Sequence, residues 1–217
     1  MIILGLADIH GDLDSLKHIA GPVSRADLVI LAGDITNFRG SDAAAKVVDM
    51  VAKSGKRVLA VSGNCDLCEV DGFLERRGIN LHARAEMLDG IGIIGLGGSL
   101  ITPFNTPNEY TEVQLEAFLI SGLKALPPDT PFILISHQPP INTACDMIGG
   151  GIHVGSHAVR NFIERQKPLV CLTGHIHESA GKDRIINTEI INPGRLSAGG
   201  YAWIEISGLN VVVEIRS

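Results

Sequence analysis

The chain has 217 residues, a hydrophobic fraction of 45% and a formal net charge of −6. This length suits one domain with a sizeable core, so we expect residues 1–217 to form a single domain. The acidic balance, without any cluster of lysine and arginine, argues against stable binding to nucleic acid, although a nucleotide could still be a substrate. No apolar stretch approaches the roughly 20 residues that a membrane span needs, which excludes a membrane protein of that kind.

Five apolar runs predict buried strands, because each is four to six residues long and ends at glycine or a polar residue. They cover residues 2–7, 28–32, 58–61, 132–135 and 169–172. Helices are predicted between and after them, at 12–20, 41–54, 69–77, 111–125 and 158–165. We expect Gly21-Pro22 to end the first helix, Ser41 to cap the second and Ser156 to cap the last.

Further short strands complete the pattern. Residues 81–88 and 91–96 flank Asp89-Gly90, a strong hairpin signal. After His177 the chain is rich in strand residues, at 184–187, 189–191, 201–206 and 210–215. The patterning alone therefore predicts an α/β fold with a mixed sheet.

Each of the five apolar runs is followed by a potential metal ligand. In chain order these are Asp8 and His10, Asp34, Asn64, His137, and the pair His175 and His177. If the strands share a sheet, their carboxyl ends lie along one rim, where open α/β folds bind ligands. We expect the close pairs, Asp8 with His10 and His175 with His177, to share a face through pleat alternation.

Seven ligands are too many for one ion, because a catalytic zinc usually takes three protein ligands and keeps one position open. They divide well between two divalent ions about 3.5–4 Å apart, bridged by one carboxylate. Oxygen and imidazole ligands together suit manganese, which we favour, and also iron, zinc, nickel or cobalt. We expect such a pair to activate a water bound between the two ions.

The order Asp-x-His, Gly-Asp, Gly-Asn-x-Asp, His, Gly-His-x-His resembles the calcineurin-like metallophosphoesterases over residues 2 to about 195. The resemblance implies a four-layer αββα sandwich of two mixed β-sheets flanked by helices. It implies a first metal held by Asp8, His10, Asp34 and His177. A second metal would be held by Asp34, as the bridge, with Asn64, His137 and His175.

The resemblance also implies a phosphoesterase, and most closely a phosphodiesterase, in which the metal-bridging hydroxide would attack phosphorus in line. A phosphomonoesterase is the alternative enzyme, and a non-catalytic module that binds other proteins is the alternative outside enzymes. One position departs from the family pattern: Gly63-Asn64-Cys65-Asp66 carries cysteine where histidine usually protonates the leaving group. A thiol is a weak hydrogen-bond donor, so we expect activated esters to be the better substrates.

Cys65 and Cys68 also spell C-x-x-C, the spacing of redox sites and of half a zinc ribbon. The metal-site pattern already accounts for Cys65, and no second C-x-x-C exists to complete a ribbon. Four cysteines without evident partners, and an amino terminus that leads straight into an apolar run, predict a cytoplasmic protein. It could form a homo-oligomer.

Candidate substrate contacts are Asn64, His153 and Arg195. His153 lies in the glycine-rich segment 149–156 and either contacts phosphate, protonates the leaving group or is an ordinary loop histidine. Arg195 is either a phosphate contact or solvated surface. The candidate catalytic residues are Asp34, Asn64, Cys65 and His153. The long loop 97–110 carries Phe104 and Tyr110, which line a substrate pocket or pack on the surface.

Overall fold

A computed structural model describes residues 1–217. The strands are β1 Ile2–Leu6, β2 Leu28–Ala32, β3 Arg57–Val61, β4 Ala85–Leu88, β5 Ile91–Leu96, β6 Ser99–Leu100, β7 Glu109–Tyr110, β8 Phe132–Ser136, β9 Met147–Ile148, β10 Ile152–His153, β11 Val170–Thr173, β12 Gly181–Ile185, β13 Thr188–Asn192, β14 Tyr201–Ser207 and β15 Asn210–Arg216. The α-helices are α1 Leu13–His18, α2 Ala20–Arg25, α3 Ser41–Ala52, α4 Cys68–Arg76, α5 Glu112–Lys124 and α6 His157–Gln166. Short 3₁₀ turns cover Gly149–Gly151, His177–Ser179 and Leu196–Ala198.

The strands form two large mixed sheets. The first has the order β15-β14-β1-β2-β3, in which β1, β2 and β3 are parallel and the other two are antiparallel to their neighbours. The second has the order β12-β13-β11-β8-β5-β4, with four parallel strands in the middle and an antiparallel strand at each edge. Parallel strands connected by helices bring their carboxyl ends to the same edge of a sheet.

Alternate residues of each strand face opposite layers, and this alternation builds three apolar cores. Between the sheets lie Ile3, Ile30 and Leu59 of the first with Ile93, Ile135 and Leu172 of the second. The outer face of the first sheet packs on α1 to α4, and the outer face of the second packs on α5 and α6. The predicted αββα sandwich is confirmed.

Three local predictions were wrong. Gly21 and Pro22 do not end a helix but lie in the first turn of α2. The N–H groups of a first turn have no partner within the helix, so proline is tolerated there. Ser41 does not cap α3, because Gly40 holds the cap position and Glu69 accepts the Ser41 N–H at 3.0 Å. The strand expected at 184–187 lies earlier, at β12, where it pairs with β13 along its whole length.

No helix of the structure combines the length and the apolar character that crossing a membrane requires.

Candidate metal centre

The predicted ligands follow the carboxyl ends of strands in both sheets. Asp8, Asp34 and Asn64 come two or three residues after β1, β2 and β3 of the first sheet. In the second sheet, His137 follows β8, and the segment with His175 and His177 follows β11. Both sheets therefore contribute side chains to the space where their rims meet.

Four of these side chains form one cluster. Potential ligand atoms of Asp8, His10, Asp34 and His177 all lie within 4.8 Å of one another. The Nε2 atoms of His10 and His177 are 3.1 Å apart, and His177 Nε2 lies 3.3 Å from an oxygen of Asp8. Oδ2 of Asp34 lies 3.7 Å from His10 Nε2. These are the residues that the resemblance assigns to a first metal.

A second group lies on the other side of Asp34. Nε2 of His137 is 3.0 Å from Oδ1 of Asn64 and 3.5 Å from Oδ1 of Asp34. The rings of His137 and His175 have centroids 5.3 Å apart. The two oxygens of Asp34 thus face two different groups of ligands, as a bridging carboxylate requires.

Hydrogen bonds fix the tautomer of His137 in a form that suits a metal. Its Nδ1 lies 2.9 Å from the backbone oxygen of Ala32, and a carbonyl oxygen only accepts. Nδ1 therefore carries the proton, and Nε2 directs a lone pair toward Asn64 and Asp34, which offer oxygen atoms there. Such support of the outer ring nitrogen is the usual arrangement of a ligating histidine. The donor set fits two divalent cations.

Backbone conformation, and not pleat alternation, aims several of these side chains. Asp8, His10, Asp34 and His175 have φ values of 51°, 49°, 48° and 69°, in the left-handed region that non-glycine residues rarely adopt. The two predicted pairs lie beyond the ends of β1 and β11, so the prediction that pleat alternation pairs Asp8 with His10 and His175 with His177 was wrong. Strained conformations of this kind cluster at functional sites.

The glycines that precede the ligands are needed because neighbouring chains approach very closely. A Cβ atom on Gly33 would lie 2.2 Å from Nδ1 of His137, and one on Gly63 would lie 2.1 Å from both N and Oδ1 of Asp34. A Cβ on Gly174 would lie 2.9 Å from an oxygen of Asp8. Gly-Asp, Gly-Asn and Gly-His are therefore packing requirements of one centre.

Residues 1–179 match the family model described as calcineurin-like phosphoesterase. The chain belongs to the calcineurin-like phosphoesterase family. A relative in Methanocaldococcus jannaschii, the protein named as uncharacterized MJ1162, is 38% identical over 203 residues, which covers 89% of this chain and 88% of that one.

Solved structures of low sequence identity share the fold. TT1561 of Thermus thermophilus has a TM-score of 0.75 at 21% identity, covering 98% of this chain and 97% of that one. A dimetal phosphatase from Danio rerio has a TM-score of 0.68 at 14% identity, covering 100% and 96%. A structure described as a novel archaeal phosphodiesterase has a TM-score of 0.52 at 15% identity, covering 100% of both chains.

Burial and the neighbouring side chains shift the pKa values of His175 and Asp8, two of the potential ligands in this phosphoesterase family member. Burial, followed by the electrostatic effect of the neighbouring His137 ring, lowers the pKa of His175 to about 4, so the His175 ring is neutral at pH 7. Burial alone would raise the pKa of Asp8, but the hydrogen bond with His177 and the nearby imidazoles hold it below its ordinary value. Neutral imidazole and ionised carboxylate are the forms that bind metals.

Cys65 lies next to Asp34, the carboxylate between the two groups of potential metal ligands. Its backbone N–H donates to Asp34 Oδ1 at 2.8 Å, and Asn64 Nδ2 lies 3.6 Å from its sulfur. Burial, followed by the charge and hydrogen bond of Asp34, raises the pKa of the thiol above its ordinary value. Redox and nucleophilic cysteines need a lowered pKa, which argues against the C-x-x-C interpretation. All four cysteines are free thiols.

Asp66 holds the turn that follows β3. Its buried carboxylate accepts hydrogen bonds from the N–H groups of Ile35, Thr36 and Gly63, at 3.0, 2.7 and 2.8 Å. Burial and the charge of Asp34 raise its pKa to about 6, against the effect of these bonds. The last residue of the Gly63-Asn64-Cys65-Asp66 motif therefore joins the turn after β3 to the turn after β2.

Sequence reasoning missed Thr106 and Glu109, which orient Asn64. The Thr106 hydroxyl donates to Oε1 of Glu109 at 2.6 Å, because an ionised carboxylate only accepts. Its lone pair is left to accept from Nδ2 of Asn64 at 3.1 Å. The amide of Asn64 must then point its oxygen toward His137. The only sequence signal for this arrangement was the presence of Thr102 and Thr106 shortly before Glu109 in one long loop.

Thr106→Val should loosen this orientation without changing the size of the side chain. We expect about a 10- to 100-fold loss of affinity for one of the two metals, the usual cost of removing an outer-shell partner. Calorimetric titration of metal-free protein with Mn²⁺ measures it. Thr130→Val, whose hydroxyl bonds only a nearby backbone oxygen on the surface, is the control. Equal affinities at both sites in the two variants would contradict the role of Thr106.

His153 is held by a carboxylate that sequence reasoning did not single out. Its Nδ1 lies 2.7 Å from Oδ1 of Asp146, which is fully buried and also accepts N–H groups of Thr143 and Gly155. Strand β10, which carries His153, pairs with β9, and β9 contacts the turn after β11 because the Ser179 hydroxyl donates to the Met147 carbonyl. His153 is thus an oriented side chain next to the segment that carries His177.

The two remaining candidates are Arg195 and the N–H groups at the start of α6, and they differ in exposure and bonding. Arg195 is exposed and lies near His177. The hydrogen bond with Asp8 raises the pKa of His177, although the charge of Arg195 opposes this shift. The carboxylate of Glu112 accepts from the N–H groups of His157 and Ala158, so the first N–H groups of α6 are bonded within the chain. Ser156 caps this helix as predicted.

The two aromatic residues of the long loop 97–110 differ in their surroundings, because Tyr110 is packed and Phe104 is exposed. Tyr110 packs against Phe118 and His82, with ring centroids 5.0 and 5.7 Å apart. Phe104 instead is 80% exposed. The packing interpretation therefore holds for Tyr110.

Proposed function

We propose that the chain is a binuclear-metal phosphodiesterase. Asp8, His10, Asp34 and His177 would hold one divalent cation, and Asp34, Asn64, His137 and His175 the other. The observation that carries this proposal is the Asp34 carboxylate, with Oδ2 toward His10 and Oδ1 toward His137. When bound, the two cations supply an activated water and neutralise charge on the phosphoryl group.

The residues of the chain position the ester and its leaving group. Asn64 directs its amide oxygen into the centre and its nitrogen toward Thr106, while Arg195 adds a positive charge beside His177. Cys65 keeps its proton, and a thiol is a poor general acid. His153, oriented by Asp146, would then contact the phosphate or protonate the leaving oxygen.

Two separate cavities, one beside His10 and one beside His177, favour a diester over a monoester. One, of about 360 Å³, is lined by His10, and the other, of about 590 Å³, is lined by His177 and Arg195. A diester carries two organic groups, and each cavity offers room for one of them. A monoesterase, which needs room for only one, is the runner-up.

A non-catalytic module that binds other proteins has less support, because all seven potential ligands are present and grouped. Manganese is our first choice of metal for these oxygen and imidazole donors. We also propose that residues 1–217 act as a single domain, which the shared core between the sheets supports. Four free thiols support a cytoplasmic location.

The proposal is tested by stripping the protein of metal and reloading it with Mn²⁺, Fe²⁺, Zn²⁺, Ni²⁺ or Co²⁺. We expect two ions per chain by elemental analysis and metal-dependent hydrolysis of bis-p-nitrophenyl phosphate. We expect slower hydrolysis of p-nitrophenyl phosphate, the monoester. Two bound ions with no hydrolysis of either ester would reject the enzyme, and a faster monoester would select the runner-up.

Cys65→His tests the leaving-group argument. An imidazolium at this position would supply a general acid, and such catalysis is worth about 10²- to 10⁴-fold. We expect faster turnover of diesters with alkoxide leaving groups and little change for p-nitrophenolate, so a plot of log kcat/KM against leaving-group pKa should become flatter. Cys65→Ser, which also lacks imidazole, is the control. An unchanged slope in Cys65→His would refute the argument.

A further inference from the structure

The cavity beside His10 is positively charged. It has a volume of about 360 Å³ and is lined by His10, Thr36, Asn37, Arg39 and Lys46, with three small or apolar residues. His10 belongs to the first group of metal ligands, so this cavity adjoins the metal centre. Its lining contains two cationic side chains and no carboxylate.

Arg39 is unusual among the arginines of this acidic chain. Seven others pair with carboxylates, at positions 57, 77, 84, 160, 165, 184 and 216. Arg25 lies over the ring of Trp203. Arg39, Arg76 and Arg195 are left without such a partner, and two of these three line the cavities beside His10 and His177.

The walls of the cavity are held in place by the backbone. The Thr36 hydroxyl lies 2.8 Å from the Arg39 carbonyl, and the Phe38 N–H donates to the Cys65 carbonyl at 3.0 Å. In the adjoining segment, the N–H groups of His10 and Gly11 donate to the carbonyls of Asp34 and Ile35. Arg39 thus extends from a fixed turn, so little backbone order need be gained when it binds an anion.

We propose that this cavity is an anion subsite that binds a second negatively charged group, a phosphate or a carboxylate, on the organic part of the phosphoester. Arg39 offers a planar pair of donors, Lys46 a compact charge and Asn37 an amide. The inferred substrate is then a phosphoester whose organic part carries a second negatively charged group, as nucleotides and phosphorylated acids do. This inference rests on the proposed function, because the metal centre must hold the first phosphoryl group.

Phosphonates that resist hydrolysis test the subsite by binding alone. α,ω-Alkylene bisphosphonates of increasing spacer length are compared with alkylphosphonates of the same length, by calorimetry on Mn²⁺-loaded protein. We expect about a 10-fold gain in affinity from the second phosphonate at one spacer length, as one charge-assisted hydrogen bond can supply. ω-Phosphonocarboxylates, run beside them, show which of the two anions binds better.

The double variant Arg39→Gln/Lys46→Gln should lose that gain. Lys53→Gln/Arg76→Gln removes the same charge from residues that form no ion pair and lie outside the cavity, and it should keep the gain. Thermal unfolding verifies that both variants are folded. The subsite is overturned if no spacer length shows a gain, or if the gain survives in Arg39→Gln/Lys46→Gln.

These outcomes are separable from those of the proposed function. A gain that depends on Arg39 and Lys46, in a protein that does not hydrolyse bis-p-nitrophenyl phosphate, would retain the subsite and reject the catalysis. Hydrolysis without any gain would retain the phosphodiesterase and reject the subsite.

Discussion

Asp34→Ala is expected to lower kcat/KM for bis-p-nitrophenyl phosphate by about 10³-fold or more. Asp34 offers one oxygen to each group of ligands, so its loss weakens both metal positions at once. Metal-ion catalysis is worth several kcal/mol, and about 4 kcal/mol corresponds to about 10³-fold in rate. Steady-state kinetics and the metal content per chain measure the two consequences together.

Asp14→Ala is the matched control, because Asp14 is an exposed carboxylate that pairs only with Lys17. We expect it to keep both metals and the wild-type rate, since exposed ion pairs contribute little. If Asp34→Ala bound two metals and hydrolysed the diester at the wild-type rate, Asp34 would not bridge the centre.

Gly63→Ala is expected to lower the free energy of unfolding by about 3 kcal/mol, at the upper end of the usual cost of overpacking. The added Cβ would lie 2.1 Å from the backbone nitrogen of Asp34, and backbone cannot move aside as a flexible side chain can. Urea unfolding of the metal-free protein measures the loss of stability. Metal titration should show weaker binding as well, because Asp34 must shift.

Gly21→Ala is the control for this change. Gly21 lies in the first turn of α2, and a Cβ there would meet nothing within 4 Å. Alanine is favoured over glycine in helices, so we expect unchanged or slightly higher stability. Equal stability of Gly63→Ala and Gly21→Ala would show that the turn around Gly63 can relax.

Local signals in the sequence were sufficient to predict an α/β fold with a mixed sheet and to single out the seven potential ligands, whereas the αββα sandwich was implied by the family resemblance. Buried strands such as β2 and β8 are largely apolar runs, and Asp34 and His137 come one or two residues after them. Strand direction then brings residues far apart in the chain to one rim. His10 and His177, which are 167 positions apart, have Nε2 atoms 3.1 Å from each other.

The features that the sequence did not predict depend on contacts without a local pattern. Asn64 and Thr106 are 42 positions apart, and neither residue type indicates the other. The carboxylate of Glu112, at the start of α5, accepts from the N–H groups at the start of α6, and nothing in either segment of the sequence indicates this pairing. The left-handed backbone at Asp8 and His10 arises because the turn must meet the segment after β2, a tertiary demand.

The distribution of the potential ligands between the two sheets would link metal binding to the integrity of the whole fold. Asp8, Asp34 and Asn64 extend from one sheet, and the three histidines after β8 and β11 extend from the other. Ions coordinated by both sets would cross-link the early and late parts of the polypeptide, a restraint that the unfolded chain lacks. The free energy of coordination would thereby become conformational stability, concentrated where the two halves of the sandwich meet.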